Sequence, residues 1–172
     1  MKFRKDFVTN SSSSSFVMAF NTEDDYKEFV ENCDFWEYNE FKDMIDRMIQ
    51  NKPKEEAISK AIEILDAIYA LPIKREYIKK KFPDHDSMLC KDVKAYFEQE
   101  EEVQNSPELQ AYLKEKLKDT DYEEKKKRIL SADILAEGMI WDNMGGILEW
   151  AIRNNFIRDN FKEYLVCQLD VG

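Results

Sequence analysis

Five consecutive apolar residues, Phe16-Val17-Met18-Ala19-Phe20, stand near the start of a chain that elsewhere spaces its apolar residues as helices do. With Ser15 they read as a β-strand. Phe16, Met18 and Phe20 would share one face and Val17 and Ala19 the other, and the unbroken apolarity points to burial on both. A lone strand leaves its backbone groups unpaired, so a second strand is needed beside it. Residues 163–171 supply the candidate: Leu165, Cys167, Leu169 and Val171 alternate with Tyr164, Val166, Gln168 and Asp170. The two stretches are expected to pair and to join the two ends of the sequence in a small sheet.

Between them the apolar residues recur at i, i+3 and i+4. Thr22 is placed to cap a helix to about residue 32, with acids in its first turn and Tyr26, Phe29 and Val30 inside. Phe41, Met44, Ile45, Met48 and Ile49 mark the next helix, which ends at Asn51-Lys52-Pro53. Ile58, Ala61, Ile62, Leu65, Ile68 and Tyr69 mark a third, stopped by Pro72. A basic helix over residues 73–82 then ends before Pro83, and Ser87 caps another carrying Leu89, Val93, Tyr96 and Phe97.

Ser106-Pro107 has the form of a cap and first helical residue, with Leu109, Tyr112, Leu113 and Leu117 inside. Residues 122–144 read as a longer helix using Ile129, Leu130, Ile134 and Met139. Gly145-Gly146 breaks it before Ile147, Leu148, Ala151 and Ile152 start a last one. Only four glycines and four prolines in 172 residues weigh against an all-β chain, and 43% hydrophobic residues suffice for a core. The expected fold is therefore mainly α (α+β): a compact helical domain with a small two-stranded sheet pairing the N- and C-terminal strands. Residues 1–172 form a single domain in this reading, with a mobile basic, serine-rich lead-in over 1–14 and terminal strands over 15–20 and 163–171.

The net charge of −10 disfavours direct nucleic-acid binding, which needs clustered Lys and Arg. Cys33, Cys90 and Cys167 lack paired spacing and read as thiols of a reducing compartment. No apolar run approaches the ~20 residues of a membrane span, and serines stand where a signal peptide needs its apolar region. A cytoplasmic chain without membrane contact is the expectation.

Lys2, Arg4 and Lys5 lead into Phe7-Val8-Thr9-Asn10-Ser11-Ser12-Ser13-Ser14-Ser15-Phe16. This opening resembles the start of many uncharacterised bacterial and phage proteins that share the FVTNSSSSSF-type signature and often little else. The resemblance covers roughly the first 16 residues and implies no activity, substrate or cofactor.

Three features bear on chemistry. Ser11, Ser12, Ser13, Ser14 and Ser15 offer hydroxyls and amides to an anion, or accept a modification, yet the run lacks the glycines of phosphate-cradling loops. His85 lies between Asp84 and Asp86, but alternating loop residues seldom face one ion. A solvated turn after Pro83 is the plainer reading, and neither metal nor cofactor is expected. The third feature is an acidic ladder, Asp25, Glu28, Glu31, Asp34, Glu37, Glu40, Asp43 and Asp46. Residues 21–46 hold ten acids against two lysines, a net of −8.

Lys79-Lys80-Lys81 and Lys125-Lys126-Lys127-Arg128 offset this charge, and are read as solvated faces or as contacts for an acidic surface. Trp36, Trp141 and Trp150 suit core packing better than an interface. The leading expectation is a non-enzymatic interaction protein that engages a basic protein partner through acidic helices over residues 21–46, with Glu37, Glu40, Asp43 and Asp46 as contacts. A phage-type inhibitor or a mimic of nucleic-acid phosphates would work in this way. The alternative is an enzyme, a ligand-binding protein or a modification substrate centred on the serines. Oligomeric state is left open.

Overall fold

A computed structural model describes residues 13–32, 36–50, 52–81, 103, 105–141, 158–159 and 161–171. In chain order these form β1 (Ser13–Phe20), α1 (Glu23–Asn32), α2 (Trp36–Gln50), α3 (Lys54–Lys81), α4 (Pro107–Leu117), α5 (Tyr122–Ser131), β2 (Ile134–Trp141) and β3 (Leu165–Val171). The protein is mainly helical with a small antiparallel sheet in the order β2-β1-β3. Its contacts divide it into two compact units: a sheet unit of residues 1–64 and 127–172, and a helical unit of residues 65–126. The readings over residues 82–102 and 142–157, with Cys33, His85, Cys90 and Trp150, lie outside the described residues.

β1 is the centre of the sheet unit. Phe16, Val17, Met18 and Phe20 are fully buried and Ala19 is 2% exposed, as a strand covered on both faces requires. Its expected neighbour, β3, is present. The sheet nevertheless has three strands rather than two, because β2 pairs along the other edge from Ser13↔Trp141 to Phe20↔Ile134. Residues 134–141 were expected to continue a helix; that helix, α5, ends at Ser131. A central strand out of water needs partners on both edges, and this demand overrides a helical apolar period. The shorter helix also leaves Leu130, expected inside, 54% exposed.

Ser13 and Ser14 belong to β1 and not to a lead-in ending at residue 14. Ser13 pairs with Trp141 and Val171, and Ser14 with Ile140 and Asp170. Two flanking strands offset the weak strand preference of serine. Residues 1–12, with Ser11 and Ser12, lie outside the described residues.

β3 departs from strict alternation. Val17 pairs with Cys167 and Met18 with Leu165, so Val166 is the extra residue of a β-bulge. Leu165 thereby joins Phe16, Met18 and Phe20 on one face instead of sharing the face of Cys167. Below the bulge the ladder continues, with the Ala19 N–H donating to the Tyr164 carbonyl at 2.8 Å.

That face carries the main core: Phe16, Met18, Phe20, Phe29, Ile45, Ala136 and Phe161, with Tyr26, Val30, Met48, Ile49 and Tyr164 around them. α1 contributes Tyr26, Phe29 and Val30 as its spacing predicts, and α2 contributes Ile45, Met48 and Ile49; the side chains of Phe41 and Met44 lie outside the described ones. Phe20 lies 5.0–5.2 Å from the rings of Tyr26, Phe29 and Tyr164, mostly in edge or tilted geometry. β2 presents small residues here, and Gly138 has a specific reason. A Cβ at Gly138 would meet the terminal methyl of Met48 and come within 2.9 Å of its sulfur. α2 therefore seats a thioether where β2 has no side chain.

The predicted caps at Thr22 and Ser106 form, while Ser87 lies outside the described residues. The Thr22 hydroxyl accepts from the Asp25 N–H at 3.1 Å while the Asp25 carboxylate accepts from the Thr22 N–H at 3.0 Å, a reciprocal cap. Ser106 accepts from the Leu109 N–H at 3.3 Å ahead of Pro107. In the helical unit Ala70, Ile78, Val103, Leu109 and Leu113 form the core, with Ile73 and Tyr77 against it.

Pro72 does not stop the third helix. α3 runs through it to Lys81, merging the two helices expected from sequence. The proline removes one backbone hydrogen bond, at a cost of about 3 kcal/mol, but Ala70, Ile73, Tyr77 and Ile78 reach the helical-unit core only if the helix continues.

Two stability measurements check these packing arguments. Gly138→Ala is expected to cost under about 1 kcal/mol, because the atoms in the way are the flexible end of Met48, and that cost is expected to vanish in a Met48→Ala background. Additive losses in that double-mutant cycle would overturn the contact. Pro72→Ala is expected to raise stability by about 1–3 kcal/mol in urea unfolding, since the position is exposed and helical.

Candidate functional site

Apart from Asp34, which lies outside the described residues, the acidic ladder is divided between two helices, and its members differ in surroundings. Asp25 is committed to the reciprocal cap of α1, while the non-ladder acid Asp24 pairs with Lys27 at 3.1 Å. Glu28 and Glu31 are exposed on α1. Glu37, Glu40, Asp43 and Asp46 lie on α2, where a three-residue step turns the helix by about 300°, so the four wind through half a turn. Asp43 is exposed. Asp46 is half-buried, and burial pushes its carboxyl above the ordinary value. The ladder thus presents no single flat face, and Glu28, Glu31 and Asp43 are its exposed members among the described side chains.

Of the serines, Ser13, Ser14 and Ser15 are held in the central strand, and Ser15 is 5% exposed. No group of three or more His, Cys, Asp or Glu suited to a metal occurs among the described residues. Nor does any described helix have the length and apolarity to cross a membrane.

Sequence reasoning missed two polar arrangements. Glu137 is a buried carboxylate on β2, 6% exposed, and Lys52 pairs with it from the segment between α2 and α3. Its sequence signal is a single charge within the otherwise apolar run of residues 134–141. Removing one partner would strand the other charge, so the pair ties the α2–α3 connection to β2.

The second arrangement joins α3 to the start of α5 inside the helical unit. The Tyr122 hydroxyl donates to Asp66 at 2.6 Å, and the Tyr69 hydroxyl donates to Asp121 at 2.5 Å. Lys125 donates to Tyr69 at 2.8 Å and pairs with Asp121 at 3.0 Å. The two rings meet edge to face with centroids 6.0 Å apart.

Burial, and then the hydrogen bond to Asp66, push the Tyr122 phenol well above its ordinary range. Burial also raises Tyr69, joined by its bond to Asp121. The bond from Tyr69, followed by Lys125, holds Asp121 below the usual carboxylate value despite its partial burial. Burial would lower Lys125, but its bonds to Tyr69 and Asp121 outweigh this and raise it. Phenols that keep their protons at neutral pH remain hydrogen-bond donors, and here they fasten α3 to the start of α5.

Comparison with protein-family models, with curated proteins and with solved structures finds no match to this chain.

The fastening role has a signature in pH. Below the ordinary phenol range, near pH 10, folded and unfolded chains both keep the Tyr122 proton and its contribution is whole. Above that, the unfolded chain releases the proton before the folded one does, and stability falls as pH rises towards the folded value. Tyr122→Phe is expected to cost about 1–2 kcal/mol at neutral pH by leaving Asp66 without its donor. It is also expected to flatten the alkaline part of the stability curve. An unchanged alkaline slope, followed by urea unfolding between about pH 8 and 11, would remove Tyr122 from this role.

Proposed function

We propose that this chain is a non-enzymatic interaction protein whose acidic α1–α2 segment engages a basic protein partner. The observation that carries the reading is the two-sidedness of these helices. Phe29, Ile45, Met48 and Ile49 fix them to the sheet-unit core, while Glu28, Glu31 and Asp43 stand in solvent. Carboxylates on an anchored helix lose little freedom when a cationic surface arrives, and the net of −8 over residues 21–46 draws that surface in. Glu37 and Glu40 belong to the same segment and extend the field along α2. An inhibitor of a nucleic-acid-handling factor would use such a segment in place of phosphates.

The serine segment supports a modification or ligand-binding reading less well. Three of its five members lie in the central strand, and Ser15 is buried, so its hydroxyl is closed to a modifying enzyme or a ligand.

The test is capture from the native host at low and moderate salt, with the chain and with the triple variant Glu28→Lys, Glu31→Lys and Asp43→Lys. A stoichiometric basic protein is expected to be retained by the chain and weakened at least about tenfold by the variant, on the scale of three exposed ion pairs. Added salt is expected to release it. Equal retention by both proteins would remove the acidic segment from the interaction.

A further inference from the structure

In the helical unit, α3 and α4 meet through Tyr77 and Tyr112, whose ring centroids are 5.2 Å apart and tilted by 46°. Three ammonium groups lie over these rings: Lys81 over Tyr77 at 5.8 Å, and Lys80 and Lys116 over Tyr112 at 6.0 and 5.6 Å. All three lysines are exposed. One carboxylate is bonded into the group: Glu76 accepts from Lys80 at 2.5 Å and from the Tyr112 hydroxyl at 3.5 Å. Among the described residues, 74–81 and 107–118 carry Lys74, Arg75, Lys79, Lys80, Lys81, Lys114, Lys116 and Lys118 against Glu76, Glu108 and Glu115, so the surroundings of this aromatic face are positive.

Ring faces hold Lys81 and Lys116 in place without neutralising them, so their charge is displayed to a partner, while Lys80 is shared with Glu76. The partner it fits is acidic and helical, with carboxylates spread over several turns. The chain carries such a segment itself, on the sheet unit.

We propose that the face built from Tyr77, Tyr112, Lys80, Lys81 and Lys116 receives the acidic α1–α2 segment of a second copy of this chain. The inference rests on the proposed function and names the basic partner in it. Glu28, Glu31 and Asp43 are the acids that meet the lysines. Because the two surfaces differ, the contact is heterologous and repeats head to tail, so it builds open oligomers unless the rotation closes a ring.

Two charge-reversal variants test this, each checked for folding by circular dichroism. One carries Lys80→Glu, Lys81→Glu and Lys116→Glu; the other carries Glu28→Lys, Glu31→Lys and Asp43→Lys. In sedimentation at about 50 mM salt the unaltered chain is expected to gain mass with concentration, and to return to monomer near 300 mM as the charges are screened. Each variant alone is expected to stay monomeric. Their mixture is expected to form dimers and larger alternating oligomers, since each retains the surface the other has lost and the two reversed surfaces are themselves complementary.

An unaltered chain that is monomeric throughout, a variant that still self-associates, or a mixture without a dimer would each overturn the proposal. Should either reversal unfold the chain, the neutral set Lys80→Gln, Lys81→Gln and Lys116→Gln, or Glu28→Gln, Glu31→Gln and Asp43→Asn, replaces it with the same expected loss of self-association.

A lysine decapeptide separates this inference from the reading beneath it. If the chain is monomeric but binds the peptide through Glu28, Glu31 and Asp43, the second copy falls and the acidic-surface reading stands. If it neither associates nor binds the peptide, both fall. Binding of a single-stranded oligonucleotide that is lost with the lysine reversals would assign the aromatic face to nucleic acid and overturn the second copy as its occupant.

Discussion

Backbone satisfaction of β1 is the constraint on which the sheet unit depends. Its five apolar residues are out of water on both faces, so water cannot complete its hydrogen bonds and other strands must. β3 takes one edge and β2 the other. The second requirement ends α5 at Ser131 and converts residues 134–141 from a helical pattern to a strand. It also brings Gly138 opposite Phe16, where the missing side chain admits Met48 from α2. A chain with one strand fewer would leave the densest part of its core with unpaired peptide groups.

The two units use different physics. The sheet unit relies on packed aromatic rings, with Phe20, Tyr26, Phe29, Phe161 and Tyr164 forming a continuous cluster. The helical unit has a smaller aliphatic core and supplements it with side-chain hydrogen bonds between distant residues. Lysines gathered over tyrosine rings are a further feature of the helical unit.

Features set by neighbours in the chain were legible from the sequence. The Thr22 and Ser106 caps, the strand at Phe16 to Phe20 and the inner faces of α1, α2 and α4 depend on residues within a few positions of one another. Features set by distant residues were not. Ile129, Leu130, Ile134 and Met139 have helical spacing, and only Gly138 and the demand of β1 for a second partner argue against it. The bulge at Val166 reflects pairing, which alternation alone does not reveal. Glu137 and Lys52 are 85 residues apart, and Tyr122 and Asp66 are 56 apart, so no local pattern announces either contact. For the acidic ladder, spacing located the charge correctly but did not separate Asp25, used in a cap, or half-buried Asp46 from exposed Asp43.

The topology of the sheet also imposes an order of assembly. β1 leaves the ribosome about 150 residues before β3 is complete, a wait on the order of 10–30 s at ~5–20 residues per second. Until β2 is made, through most of that interval, its apolar run has neither partner strand. The helical unit, whose contacts lie within residues 65–126, needs no part of the sheet to begin forming. Nascent chains therefore pass through a stage in which a folded middle precedes an unpaired β1, and it is at this stage that the protein is most exposed to chaperones and to misassembly.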